Sequence, residues 1–282
     1  MTGNLPNWKK RLPKNISAKE VTIVSIVIPA LNEEDGIVGT IKAIPIKELR
    51  DAGYEVEILV VDNGSTDRTG DLAKQAGAQV IFEAIPGYGR AYKTGFAYAK
   101  GDIIATADAD MTYPLEYIPQ MVQYLEKTNL DFITTNRYAY MEDGAMSPLH
   151  KIGNSVLNIA TRFLFQADLQ DSQSGMWVFR KDILNRITVK SNSMAFSQEL
   201  KIEACFYAKC RWEELPIEYR ARVGEAKLKS WQDGFGNLFQ LINKRISRSR
   251  TNGNGHNHHP LKLADDELFY TENKASIQWR KK

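Results

Sequence analysis

The chain has 282 residues, 43% of them hydrophobic and 25% charged, with a formal net charge of +3. That length suits one large α/β domain or two small ones, with the composition of an ordinary soluble protein. The charge is too small to argue for a nucleic-acid partner, and the longest apolar run, Val21 to Leu31, is too short to cross a bilayer.

Residues 1–20 read as a flexible arm, polar and Pro-containing, without the pattern of a signal peptide. Lys9, Lys10, Arg11 and Lys14 lie in it, and Lys244, Arg245, Arg248, Arg250 and Arg280 to Lys282 gather near the other end. Basic ends of this kind suit an anionic membrane surface, at about 1 kcal/mol per Lys or Arg. From residue 21 to about 135, strand and helix patterns alternate, which predicts a parallel sheet with helices on both faces. Val21 to Pro29 is the first strand, and Asn32 to Asp35 opens a helix with a capping residue and an acidic first turn. Val56 to Val61 is the second strand, with Asp62 to Asp67 as its turn and a helix ending near Gly77. Gln79 to Phe82 is the third strand. The Gly-rich Pro86 to Arg90 leads into a helix, and Gly101 to Ala107 is the fourth strand.

Beyond residue 140 the pattern changes. Met146 to Phe165 is amphipathic and helix-like, and residues 175–180 and 214–220 read as strands. Cys205 and Cys210, the only cysteines, fall in a helical pattern and read as buried structural residues of a reducing cytoplasm. Residues 247–282 read as a basic, partly disordered tail, with His256, His258 and His259 solvated in it.

Asp108-Ala109-Asp110 puts two carboxylates one residue apart at the end of an apolar run. Carboxylates crowded there repel one another unless a cation or hydrogen bonds offset the charge. Mg²⁺ or Mn²⁺, held by one or two carboxylates together with substrate phosphates, is the usual solution. In open α/β sheets ligands bind at the carboxyl ends of strands, and Pro29, Asp62 and Asp108 all fall at such ends.

Ser25 to Glu34, Val60 to Asp67 and Asp108 to Asp110, in this order and spacing, resemble the motifs of family-2 glycosyltransferases with the GT-A fold. The resemblance runs from about residue 22 to 245. Asn136-Arg137-Tyr138, Asp171 to Met176 and Arg222 to Leu228 narrow it to the polyprenyl-phosphate sugar synthases, of the dolichyl-phosphate mannosyltransferase or glucosyltransferase kind, with an archaeal flavour. It implies a single GT-A domain over residues 21–246, Rossmann-like, with a C-terminal acceptor-side extension. Residues 21–135 would form the nucleotide-sugar half and 136–246 the acceptor half.

The roles that follow are those the resemblance implies. Pro29, Leu31 and Glu33 would shape the nucleotide pocket, with Leu31 standing where the family often has Tyr. Asp62 would accept from the base edge, left free because Ser65 or Asp67 can cap the next helix. Asp108, Ala109 and Asp110 would meet the donor diphosphate. Asp108 and Asp110 would ligate the metal, joined by Thr112 where relatives carry Gln. The loop at Gly87 would present amides to phosphate or sugar hydroxyls. Arg222 and Lys227 would close over the diphosphate, and Arg137, Lys151 and Ser174 would meet the acceptor phosphate. Asp110 and Arg137 are the residues assigned to catalysis.

A hydroxyl acceptor needs a general base, whereas a phosphate monoester is dianionic near neutrality and does not. The expected activity is therefore inverting transfer of a hexose from a GDP-mannose- or UDP-glucose-type donor to a polyprenyl phosphate. It would take place on the cytoplasmic membrane face, with Met146 to Phe165 read evenly as a core helix or as an interfacial one. Two alternatives use other chemistry: a soluble or glycan acceptor with Glu199 as base, and a nucleotide-sugar-binding regulator without turnover.

Overall fold

The structure is a computed structural model that describes residues 21–224, 237–239 and 241–246. The arm at 1–20, the tail from 247 and Lys227 lie outside the described residues. Strands β1 (Thr22–Ala30), β2 (Tyr54–Asp62), β3 (Gln79–Phe82), β4 (Ile103–Thr106), β5 (Phe132–Met141), β6 (Trp177–Arg180) and β7 (Trp212–Tyr219) form one sheet. Its order is β3-β2-β1-β4-β6-β5-β7. All pairings are parallel except those of β6, which runs against both β4 and β5.

The chain winds outward from β1 to β3, then returns to place β4 on the other side of β1. That reversal is the switch point at which such sheets bind ligands. Pro29 helps to open it. Val27 accepts from the Ala107 amide at 3.4 Å, so Pro29, two residues on, faces the same side and offers no N–H to continue the ladder.

Helices cover both faces. On one, Ile26 and Ile28 of β1 pack with α1 (Ile37–Lys42), α2 (Ile46–Asp51) and α5 (Ile118–Lys127). On the other, Val27 joins Leu59 and Val61 beneath α4 (Tyr88–Tyr98) and α7 (Ala195–Ile202). The period-2 alternation of β1 thus feeds two cores, and each fully buried aliphatic side chain contributes about 1.5–3 kcal/mol. A smaller cluster joins Leu157 and Phe165 of α6 (Pro148–Phe165) to Ile202 and Leu241. A further helix, α3, spans Thr69–Gln75.

Two expectations change. Asn32 does not start a helix. It sits at φ 53°, its side chain accepts from the Thr66 amide at 2.7 Å, and α1 begins at Ile37 after Gly36. The boundary at 135/136 also falls inside β5, so the two halves share a strand as well as a sheet.

Candidate active site

The Asp-x-Asp turn leaves β4 and packs on the head of α1. A side chain at Gly36 would meet the Ala109 carbonyl at 2.6 Å, and Ala109 itself is buried. Asp110 Oδ1 accepts from the Thr112 amide at 3.1 Å and hydroxyl at 2.7 Å. Thr112 therefore braces Asp110, and its buried hydroxyl is not presented as a third ligand. Asp108 Oδ1 accepts from the Tyr88 hydroxyl at 3.2 Å. Burial first, and then the neighbouring Asp110, push the Asp108 carboxyl up to about 7. A pair of carboxylates under this strain fits a hard divalent cation. Among the described residues no cluster of three metal-binding side chains forms.

Arg222 reaches across the crevice. Its Nη2 donates to Glu33 Oε1, and its Nη1 lies 3.3 Å from Asp110 Oδ2. Glu33 is held in place from behind, its amide donating to Thr69 Oγ1 at 2.7 Å. Leu31 stands 39% exposed at the rim, and Pro29 is buried on β1 opposite Val61.

Asp62 is buried and partly committed to its own turn. Its Oδ1 accepts from the Ser65 amide at 2.8 Å. Asp67 does take the head of α3 as expected, its Oδ1 accepting from the Thr69 amide at 2.9 Å, but this does not free Asp62 from the Ser65 amide. Ser65 Oγ accepts from the Asn32 amide and Asp67 from the Glu34 amide, so both lace the two loops together. The Asp62 side chain also explains Gly70, where a Cβ would lie 2.7 Å from Oδ2.

The Gly-rich loop is a packing device. The Gly87 amide donates to Asn63 Oδ1 at 2.7 Å, and a Cβ there would strike the Asn192 carbonyl. A Cβ at Gly89 would meet Phe196. These contacts use the positions assigned to phosphate.

The acceptor-side residues separate. Arg137 is buried against Asp171, with Nε to Oδ2 at 2.7 Å and Nη2 to Oδ1 at 2.9 Å. Burial pushes the Asp171 carboxyl up, but Arg137 outweighs it and holds it below the ordinary carboxylate range. The fork is thus committed to a carboxylate, while the guanidinium also stacks 5.2 Å from the Tyr219 ring centre. Ser174 is fully buried and shares a hydrogen bond with Thr135, out of reach of an acceptor. Lys151 is exposed on the first turn of α6. Glu199 accepts from the Lys190 and Ser191 amides and pairs with Lys244 at 2.7 Å.

Three participants were not assigned from the sequence: Tyr88, Asp171 and Tyr219. Tyr88 and Asp171 stand in motifs already quoted, but their partners lie 20 and 34 residues away. No local spacing links such pairs.

Comparison with known proteins agrees with the geometry. The model for the family "Glycosyl transferase family 2" matches residues 25–188. The low-salt glycan biosynthesis hexosyltransferase of Haloferax volcanii is 37% identical over 224 residues. The match takes in 78% of this chain and 53% of that protein, so the chain spans about half the length of this relative. The dolichyl-phosphate hexose transferase of the same organism is 31% identical over 211 residues, 75% of this chain and 89% of that one. Glucosyl-3-phosphoglycerate synthase of Mycobacterium tuberculosis, crystallised with Mn²⁺, UDP-glucose and phosphoglyceric acid, superposes with a TM-score of 0.64 at 20% identity. That match covers 80% of each chain and shares the fold. With its Asp-x-Asp turn at the sheet's switch point and these relatives, the chain belongs to glycosyltransferase family 2.

Proposed function

We propose that this glycosyltransferase moves a hexose from a nucleotide-sugar donor to a polyprenyl phosphate, with inversion, at the cytoplasmic face of a membrane. The observation that carries the reading is the crevice between β1 and β4, where Asp108, Asp110, Glu33 and Arg222 converge. An acceptor phosphate oxygen would attack the anomeric carbon, and the bond to the nucleoside diphosphate would break with its electron pair on the diphosphate. Asp108 and Asp110 would hold Mg²⁺ or Mn²⁺, which supplies positive charge to the leaving diphosphate. Arg222 adds a fork of donors for the same oxygens. Pro29, Leu31, Glu33 and Asp62 line the side given to the nucleoside.

The phosphate acceptor is favoured by the fate of Glu199. Its carboxylate is taken up by two amides and Lys244, which removes the residue expected to serve as base for a hydroxyl. Arg137, steadied by Asp171, adds a fixed positive charge beside the carboxylate pair. The name of the dolichyl-phosphate hexose transferase relative supports the same acceptor.

The membrane reading is supported by α6. Leu149, Ile152, Val156, Ile159 and Phe163 are exposed on it, Phe163 by 84%. Helical residues 237–239 and 241–246 pack beside it through Leu238 and Leu241 and expose Phe239, Ile242 and Ile246. Neither stretch contains a carboxylate, whereas His150, Lys151, Arg162 and Arg245 lie along them. Apolar stripes flanked by cations suit the headgroup boundary of an anionic bilayer. No helix among the described residues is long and apolar enough to cross a membrane.

A donor-by-acceptor screen tests the reading. Radiolabelled UDP-glucose, UDP-N-acetylglucosamine and GDP-mannose would each be offered with polyprenyl phosphate or phosphoglycerate. Label in the lipid phase from one donor is the expected result. Label only in the water-soluble product overturns the acceptor assignment.

A further inference from the structure

We propose that Arg222 is a latch which shuts the site in the absence of ligands and which the cation and the donor diphosphate open together. The inference rests on the donor reading above. Glu33 follows β1 and Asp110 follows β4, so a guanidinium bonded to both spans the switch-point crevice. The backbone carries it there: the Arg220 amide donates to the Thr112 carbonyl and the Val223 amide to the Asp110 carbonyl, both at 3.0 Å. The segment is therefore docked on the Asp-x-Asp turn itself.

Two observations mark the arrangement as incomplete. Among the described residues Arg222 Nε is buried without an acceptor, although buried donors are nearly always paired. The guanidinium also lies against Asp110 Oδ2, an oxygen that a divalent ion would need. Both cations cannot hold that oxygen at once, because they repel one another at such range. A diphosphate resolves both. It offers several charged oxygens to a planar fork, including an acceptor for Nε, and draws the guanidinium off Asp110.

The consequence is coupling. A cation arriving alone must break the Arg222 contacts, and so must a diphosphate arriving alone. When both arrive, the contacts are broken once for two ligands, so each favours the other. Arg222 is in this sense a positioning residue that makes occupancy of the two sites conditional on each other.

Arg222→Met tests it, with binding rather than turnover as the readout. Mn²⁺ binding would be followed by electron paramagnetic resonance, with and without saturating UDP or GDP, and thermal melting would check the fold. Without nucleotide the variant should bind Mn²⁺ roughly fivefold more tightly than the native chain, the worth of a partly buried ion pair. The factor by which nucleotide tightens Mn²⁺ binding should fall by at least as much, while Mn²⁺-free nucleotide binding weakens. Arg222→Lys, which keeps the charge and loses the fork, should fall between the two and stands in if the Met variant does not fold. Unchanged or weaker Mn²⁺ binding by the nucleotide-free variant overturns the latch while leaving the donor reading intact. A native chain that binds neither Mn²⁺ nor any nucleotide overturns both.

Discussion

Arg137 and Asp171 meet through two parallel hydrogen bonds in a place closed to solvent, with side-chain exposures of 8% and 0%. Removing either partner leaves a buried charge alone. Asp171→Ala is expected to lower stability by about 3–5 kcal/mol, measured by urea unfolding. The double replacement Arg137→Met with Asp171→Leu should cost less than the two single changes summed. Additive costs would show that the pair is not coupled.

Asp108→Asn should raise stability and abolish transfer. The folded carboxyl titrates at about 7, above its ordinary 3.8. Between those values the folded chain holds a proton that the unfolded chain has released, so stability falls as pH rises through this window and stays lowered above it. At pH 8 and without ligands the Asn variant should therefore unfold later, by on the order of 2 kcal/mol. A melting temperature that does not rise at pH 8 would contradict the assignment of strain to this carboxylate pair. In the native chain, binding of Mn²⁺ should weaken as pH falls below 7, because the proton competes for Asp108.

Thr112→Val should keep the fold and weaken Mn²⁺ binding several-fold. The hydroxyl that steadies Asp110 Oδ1 is lost, whereas the amide bond to the same oxygen remains. Thr112→Ser should restore the native affinity. A Ser variant as weak as Val would point to packing of the methyl group instead.

Glu199→Gln separates the acceptor classes. Turnover on polyprenyl phosphate should stay within about threefold of native, since a phosphate needs no base. The melting temperature should fall, because Lys244 loses one of its two carboxylate partners, Glu199 and Glu203. Loss of turnover by a well-folded variant would restore Glu199 as base and a hydroxyl as acceptor.

Ile159→Ser combined with Phe163→Ser should weaken sedimentation with anionic vesicles by tenfold or more, as each change removes apolar area at the face of α6. Turnover on a short-chain, water-soluble polyprenyl phosphate should persist. Unaltered vesicle binding would move the membrane face elsewhere.

The first four strands were legible because their apolar runs are short and bounded by turn residues, as at Gln79 to Phe82, which matches β3 residue for residue. The Asp-x-Asp turn and Arg222 were legible as motifs. What escaped was β5, for which no strand was expected, and pairing at a distance. Nothing beside Arg137 indicates that Asp171 will occupy its fork, and nothing near Gly87 shows that Asn63 takes its amide. Ser174 reads as a polar residue in a motif, yet its hydroxyl, in the loop before β6, is spent on Thr135 of β5. Glycines and hydroxyls in sequence advertise ligands and packing in the same words, and only the tertiary neighbours tell them apart.

The reversed strand β6 bears on how the enzyme can be taken apart. It is hydrogen-bonded to β4 on one side and β5 on the other, and it returns from the later part of the chain. A fragment ending at residue 135 would leave β4 with a bare apolar edge, a template for aggregation. Modular exchange of acceptor halves between relatives is therefore expected to fail at that boundary. Grafts that carry β5, β6 and β7 together keep every ladder closed except the single seam between β4 and β6.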